Sequence, residues 1–386
     1  MVASSVLLVA AALGAGTGPA AASDGTWSSL DGGDQHTCAV RSDDASLWCW
    51  GDNSYGQLGL GTTDTVVRTT PVRVGTDRWS QVTAGARHTC AVRTDSTLWC
   101  WGSNTYGQLG VGDTATRTRP TQVRTATSSS FWMVSGGAFF TCGTSTDWKA
   151  HCWGRNDSGQ LGVGDHTNRY SPVSVMPGTS FDRVTLGATH ACATVAGQSP
   201  TSLWCWGANS SGQLGVGDTA ERSTPVQVPG SWLKVQYEHE MSAFALGMGH
   251  SCGLGADRAL YCWGSNYYGE LGVGDLTART RPTKVKDGTF WGKIAAGALF
   301  TCGTTTDVNK VMLCWGNNSN GQLGTGNTTK QLVPAAMGMY VKTPWAGSAH
   351  ACARESWALK CWGYNYRGQV GSGSTAYNVT SPEYVG

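Results

Sequence analysis

The sequence predicts an all-β fold: a seven-bladed β-propeller of four-stranded blades, with one disulfide inside the central hairpin of each repeat. Three observations carry that prediction. A Cys-Trp-Gly tripeptide recurs seven times, at a spacing of about fifty residues, the period of a propeller blade. A second Cys precedes each tripeptide by 9 to 13 residues. Gly (54) and Trp (18) are abundant in the 386 residues while charged residues make up only 13%, a balance that favours short strands and tight turns over disorder.

Each unit opens on a first strand of the type seen from Trp79 to Ala84. A Gly then stands five residues before the first Cys, as in Gly33/Cys38 and Gly85/Cys90. The second strand follows from His88 to Val92 and the third from Leu98 to Trp101. Runs rich in Val, Thr and Trp and bounded by Gly read as strands. After the Trp-Gly comes an Asn (Asn53, Asn104, Asn156, Asn209, Asn266, Asn318, Asn365), then Gly-Gln-Leu-Gly, respelled only at Glu270 and at Gln369-Val370. A fourth strand closes the unit on Pro71, Pro120, Pro172, Pro225, Pro282, Pro334 or Pro382. An edge strand can spare the N–H that Pro lacks. The units are expected at 24–77, 78–129, 130–179, 180–230, 231–288, 289–338 and 339–386, as one domain. Unit one starts on a first strand near Trp27 and unit seven ends on a fourth strand at Val385. The ring is therefore expected to close by contact between the two ends.

The fourteen Cys fall into seven pairs: Cys38–Cys49, Cys90–Cys100, Cys142–Cys152, Cys192–Cys205, Cys252–Cys262, Cys302–Cys314 and Cys352–Cys361. Cys90 and Cys100 are symmetric about Asp95, as are Val92 and Leu98. A hairpin turning there sets each pair directly opposite, within disulfide range. Reduced, buried thiols are the alternative. Zinc would require Cys-x-x-Cys or closely spaced His, and neither occurs.

The remaining recurrent residues read as scaffold. His36, His88, His190, His250 and His350 begin the second strand, with Phe140 and Phe300 in the other two units. A residue repeated five times around a ring is not a catalytic group; it is expected to bond a turn carbonyl. The Trp of Cys-Trp-Gly is expected to pack between blades. The Gly residues suit positive φ or close backbone approach and form no phosphate loop. Asp113, Asp165, Asp218 and Asp275 are expected to cap turns, with calcium binding as the alternative. No catalytic residue, metal ligand or cofactor is assigned.

Residues 1–23 read as a secretory signal: an apolar run from Val6 to Ala15, then small residues through Ser23, with no Lys or Arg ahead of the run. The net charge of +2 gives no electrostatic case for nucleic acid or an anionic membrane. No later segment could span a bilayer, and the mature chain is expected to be a monomer.

The run His-Thr-Cys-Ala-Val…Leu-Trp-Cys-Trp-Gly-x-Asn-x-x-Gly-Gln-Leu-Gly closely resembles the repeat of the regulator of chromosome condensation family, over about residues 24–386. The resemblance implies a seven-bladed propeller and a binding scaffold rather than one activity. Family exchange factors for the GTPase Ran act in the nucleus through a protruding wedge; this chain has an export signal and one small insertion, around Glu238 to Leu246. The family's plant UV-B photoreceptor carries a Trp just after the repeat Gly. Here that position holds Asp34, Ala86, Ala138, Ala188, Met248, Ala298 and Ser348.

Because strands alternate in direction, the loop between strands one and two shares a face with the loop between strands three and four. Variable residues there are Gln35, Tyr55, Arg87, Tyr106, Phe139, Tyr267, Tyr268, Tyr364, Tyr366 and Arg367. Tyr and Arg are common interface anchors. The expectation is a secreted, non-enzymatic binding scaffold whose partner is another protein or a glycan. The alternative is a structural or adhesive protein of the cell envelope. An enzyme using the central channel would need non-repeating acids or His there, and none stands out.

Overall fold

The computed structural model describes residues 26–386 except 126–129, 235–242, 286–288, 308–309, 342 and 356–357. The expected export segment lies outside the described residues, as does Glu238 in the expected insertion.

Seven four-stranded antiparallel sheets form the propeller, each paired in simple chain order from first strand to fourth. The strands of the first blade are Trp27–Gly32, His36–Arg41, Leu47–Asn53 and Asp64–Arg73. The other blades span 79–122, 131–174, 181–232, 244–284, 291–340 and 343–384. Burial follows position. The second strand is sealed on both sheet faces, and every residue of His36–Arg41 is buried. The fourth strand is outermost and mostly half-buried or exposed. All seven repeat prolines lie in fourth strands, where the missing N–H has no sheet partner to lose.

All fourteen Cys form the seven expected disulfides. Their Cα atoms are 4.0–4.1 Å apart, and each pair is directly opposed in the second-to-third-strand register. Between the third and fourth strands every blade has a bulge just after the Cys. The Gly there has a φ near +100°, a conformation costly for any side chain.

The tryptophans of Cys-Trp-Gly are fully buried, and they join neighbouring blades. Trp101 of blade two packs with Cys38, Cys49 and Leu58 of blade one. Its Nε1 donates to the Gln57 carbonyl at 2.9 Å. The same bond, to the carbonyl of the Gln or Glu in the preceding blade, recurs at all seven seams.

The histidines also cross the seams, which corrects the expected turn carbonyl. His36 Nε2 lies 2.9 Å from Thr89 Oγ1 of the next blade. His88 reaches Thr141, His190 reaches Ser251, His250 reaches Thr301 and His350 reaches Thr37, at 2.8–2.9 Å. Each hydroxyl donates its one proton to the Gln or Glu carbonyl that also receives the Trp. Nε2 must therefore carry the imidazole proton, and the ring is neutral. Burial lowers these histidines to about 3 or 4. Blades three and six carry Phe140 and Phe300 instead. The residue each faces in the next blade is Ala191 or Ala351, with no hydroxyl. The turn carbonyl was the wrong partner because the true one lies a whole unit further along the chain.

Blade one is built wholly from the N-terminal strands and blade seven wholly from the C-terminal ones. The ring closes with the chemistry of the other seams: His350 to Thr37, and Trp50 and Thr37 to the Gln369 carbonyl. A belt of backbone bonds runs round the channel mouth, from Asp34 N–H to Ala86 C=O and on to Ser348 N–H on Gly33 C=O. A second, outer belt ties each third-to-fourth-strand loop to the next blade's fourth strand, including Gly373 N–H to Thr69 C=O at 2.8 Å.

Candidate functional site

The third-to-fourth-strand loop is rigid in every blade. Asn104 Oδ1 accepts Leu109 N–H, and its Nδ2 donates to the Asp113 carbonyl nine residues on. Gln108 Oε1 accepts Tyr106 N–H, which holds the loop tip. Glu270 substitutes for Gln because the tip needs only an acceptor: one oxygen takes Tyr268 N–H and the other takes the Ser265 hydroxyl.

The loop aspartates cap turns. Asp113 Oδ1 accepts Ala115 N–H, and its Oδ2 takes the Arg117 guanidinium at 2.6 Å. Asp64, Asp165, Asp218 and Asp275 repeat this pattern with Arg68, Arg169, Arg222 and Arg279. The guanidinium beside Asp113 holds its carboxyl below the usual range. Blades six and seven lack the pair, with Asn327 and Gln331, then Ser374 and Val379, at these positions.

The ten variable residues lie on these loops and on the first-to-second-strand loops, and several of them meet at blade junctions. Tyr55 of blade one meets Arg87 of blade two: Arg87 Nη1 donates to the Tyr55 hydroxyl at 2.7 Å, with the guanidinium over the ring. Tyr106 of blade two packs on Phe139 of blade three with ring centres 5.5 Å apart. Tyr267 and Tyr268 touch edge-on at 5.0 Å, and Tyr267 is 73% exposed. Tyr364 and Tyr366 stack, and Arg367 lies over Tyr366 and 3.9 Å from Asp52 of blade one. Gln35 is half-buried and its carbonyl accepts Asp52 N–H.

Two residues belong with this set. Arg155 lies over both Tyr106 and Phe139. Its place, between Trp-Gly and Asn, is the variable column that also supplies Tyr364. Tyr377 packs at 5.4 Å against both Tyr364 and Tyr366 and is exposed. It precedes the fourth strand, outside the loop segments from which the ten were chosen. Burial and the Tyr377 hydrogen bond push the Tyr364 hydroxyl up to about 12.

The face surrounds a central cavity of about 490 Å³, lined by the first strands of all seven blades. In blades one and two, inward side chains bind the next blade's first strand. Ser29 Oγ accepts Val82 N–H, Asp31 accepts the Thr83 hydroxyl and Ala84 N–H, and Gln81 bonds both N–H and C=O of Val134. These bonds satisfy an edge that would otherwise be unpaired. Desolvation raises Asp31 to about 6. The channel lining does hold non-repeating charges: two acids, Asp31 and Asp34, and two bases, Arg183 and Lys293. Among the described residues no three His, Cys, Asp or Glu side chains gather as a metal site.

Comparison with known proteins agrees with this architecture. The regulator of chromosome condensation (RCC1) repeat model matches residues 44–92, 95–143, 149–194, 202–254, 258–303 and 311–353. Each match runs from the third strand of one blade to the second strand of the next, so the sequence repeat straddles a seam. The chain is 29% identical to the ultraviolet-B receptor UVR8 of Arabidopsis thaliana over 78% of its own length and 68% of the receptor's. It is 30% identical to the probable E3 ubiquitin-protein ligase HERC4 of Mus musculus, but covers only 34% of that protein. The structure superposes on Prp20p of Saccharomyces cerevisiae with a TM-score of 0.73 at 18% identity, covering 94% of this chain and 88% of Prp20p. By its repeats and its seven sheets, the chain belongs to the regulator of chromosome condensation repeat family.

Proposed function

We propose that this chain is a secreted, non-enzymatic binding protein. Its partner, another protein, docks on the face formed by the loops joining strands one to two and three to four. The observation that carries this reading is the aromatic–cation grouping at blade junctions, above all Tyr364, Tyr366 and Tyr377 with Arg367. Rigid aromatic rings present area at low entropic cost, and the bonded loops beneath hold them in place. Prp20p, studied for its binding to Gsp1p and histones, is a precedent for partner binding by this fold. Seven disulfides suit an oxidising compartment, in keeping with the apolar run from Val6 to Ala15. Light sensing is not carried over from the ultraviolet-B receptor, since no Trp follows the repeat Gly. Ligase activity is not carried over from a protein of which this chain spans a third.

The test is capture from culture supernatant and from cell-surface extract, followed by affinity measurement. Tyr55→Ala, Tyr106→Ala, Tyr268→Ala and Tyr366→Ala are expected to weaken binding, with losses of about 2 kcal/mol at the central anchors. Undiminished binding by all four variants would reject this face. Capture of polysaccharide alone would replace the protein partner with a glycan.

A further inference from the structure

The two arcs of the channel differ in the inward side chains they carry. In blades one and two those side chains are hydrogen-bonded to the neighbouring blade's first strand. In blades four to seven the same positions hold Arg183, Lys293 and Thr343, and, two residues further along, Thr185, Ala245, Ala295 and Trp345. Arg183 and Lys293 occupy equivalent places in their first strands, each opposite the Thr two residues after the second-strand Cys. They therefore stand at one height, two blades apart. Lys293 Nζ donates to Thr343 Oγ1 at 2.8 Å across the blade six–seven seam. Trp345 is two residues beyond Thr343 on the same strand, half-exposed to the channel. The alanines beside it leave room that the larger side chains of the other arc fill.

We propose that this arc binds a small aromatic carboxylate. Lys293 and the Thr343 hydroxyl hold the carboxylate, the flat ring lies against the Trp345 indole, and Arg183 adds positive potential at the same height. The chemistry on the page selects this class. The cavity has the size of a small-molecule site. This arc carries two cations, while the two lining acids, Asp31 and Asp34, belong to blade one, where Asp31 is turned into blade two. Burial lowers Arg183 only to about 10, which leaves it charged at neutral pH. An ammonium held beside a hydroxyl suits a carboxylate, and an indole face suits a flat apolar body.

Calorimetric titration of the full chain with phenylacetate, phenylacetamide and acetate separates the parts. Phenylacetate is expected to bind, with the amide and acetate each weaker by about tenfold or more. Lys293→Met and Trp345→Ala are expected to lose about tenfold or more, and Lys293→Arg to retain most of the affinity. The rim variant Tyr366→Ala is expected to bind phenylacetate normally, so failure of the docking face and failure of the channel site are distinguishable. Equal binding of acid and amide by the wild-type chain would overturn the proposal without relying on any variant. So would wild-type affinity in a folded Lys293→Met chain, or the absence of heat at millimolar phenylacetate.

Discussion

Five seams of this ring join a histidine to a hydroxyl, and two join a phenylalanine to an alanine. The seam between blades two and three is of the first kind: His88 meets Thr141, and Thr141 donates to the Gln108 carbonyl. The seam between blades three and four is of the second kind: Phe140 and Ala191 are both buried, and among the described residues the Gln160 carbonyl receives the Trp206 N–H and no hydroxyl. The ring geometry accepts either chemistry as long as both partners change together. A buried imidazole without an acceptor is costly, whereas replacing both polar partners by apolar groups is close to neutral. The two kinds of seam share the Trp, the carbonyl it bonds, and the Gly that the indole packs against.

The largest expected effects fall on those shared parts, equally at both kinds of seam. Gly110 and Gly162 have φ of +68° and +70°. A Cβ would come within 2.6 Å of Trp153 Nε1 at the first and 2.7 Å of Trp206 Nε1 at the second. Gly110→Ala and Gly162→Ala are each expected to cost about 2–4 kcal/mol in urea unfolding, from backbone strain plus overpacking. A tolerated substitution at one seam only would mean that the indole contact is not common to both. Next comes the hairpin staple. Removing Cys90–Cys100 or Cys142–Cys152 by paired Cys→Ala changes is expected to cost about 2.5–3 kcal/mol, the chain-entropy value for a loop of about ten residues. The two losses should match, because the staple lies within a blade and is independent of seam chemistry.

The comparison itself is tested by a double-mutant cycle. Thr141→Ala strands the His88 Nε2–H and is expected to cost about 1–3 kcal/mol. His88→Phe in the Thr141→Ala background converts the seam to the second kind. It should recover stability, giving a coupling energy of about 1–2 kcal/mol. Strict additivity would mean that the match of His with hydroxyl and Phe with alanine carries no energy.

Much of this was legible in the sequence, and the limits are physical. The blades and disulfides were readable because the period and the symmetry about Asp95 are local. The histidine's partner was not, since Thr89 lies 53 residues beyond His36 and local pattern does not report contacts between units. A signal did exist: the residue before the second-strand Cys is Thr, Thr, Thr, Ala, Ser, Thr, Ala in blade order, and each Ala follows a blade that carries Phe. The ten face residues were found as disagreements between copies, and the same test applied throughout the column that supplied Tyr364 yields Arg155. The channel residues escaped because alternation along a first strand does not say which side chains see the axis. Only closure of the ring places Arg183, Lys293 and Trp345 around one cavity.

Acid is expected to distinguish the two kinds of seam by the smallest effect. Burial holds His88 at about 4 in the folded chain, against an ordinary value of 6.5. Its folded value lies below its unfolded one, so the unfolded chain binds the proton first. The contribution is intact above about pH 6.5 and is lost progressively as pH falls toward about 4. Asp31 acts in the opposite sense: raised to about 6 from 3.8, it favours the folded chain as pH falls through that range. Asp31 is common to parent and variant, so its part cancels when the two are compared. The His88→Phe/Thr141→Ala chain should therefore lose less stability than its parent, by about 1 kcal/mol between pH 7 and pH 5.5. Phe140→Leu, at the other kind of seam, should leave the pH dependence of unfolding unchanged. If the double variant and its parent run parallel through this range, His88 is not held neutral by the seam. The tautomer assigned from the Thr141 hydroxyl would then be wrong.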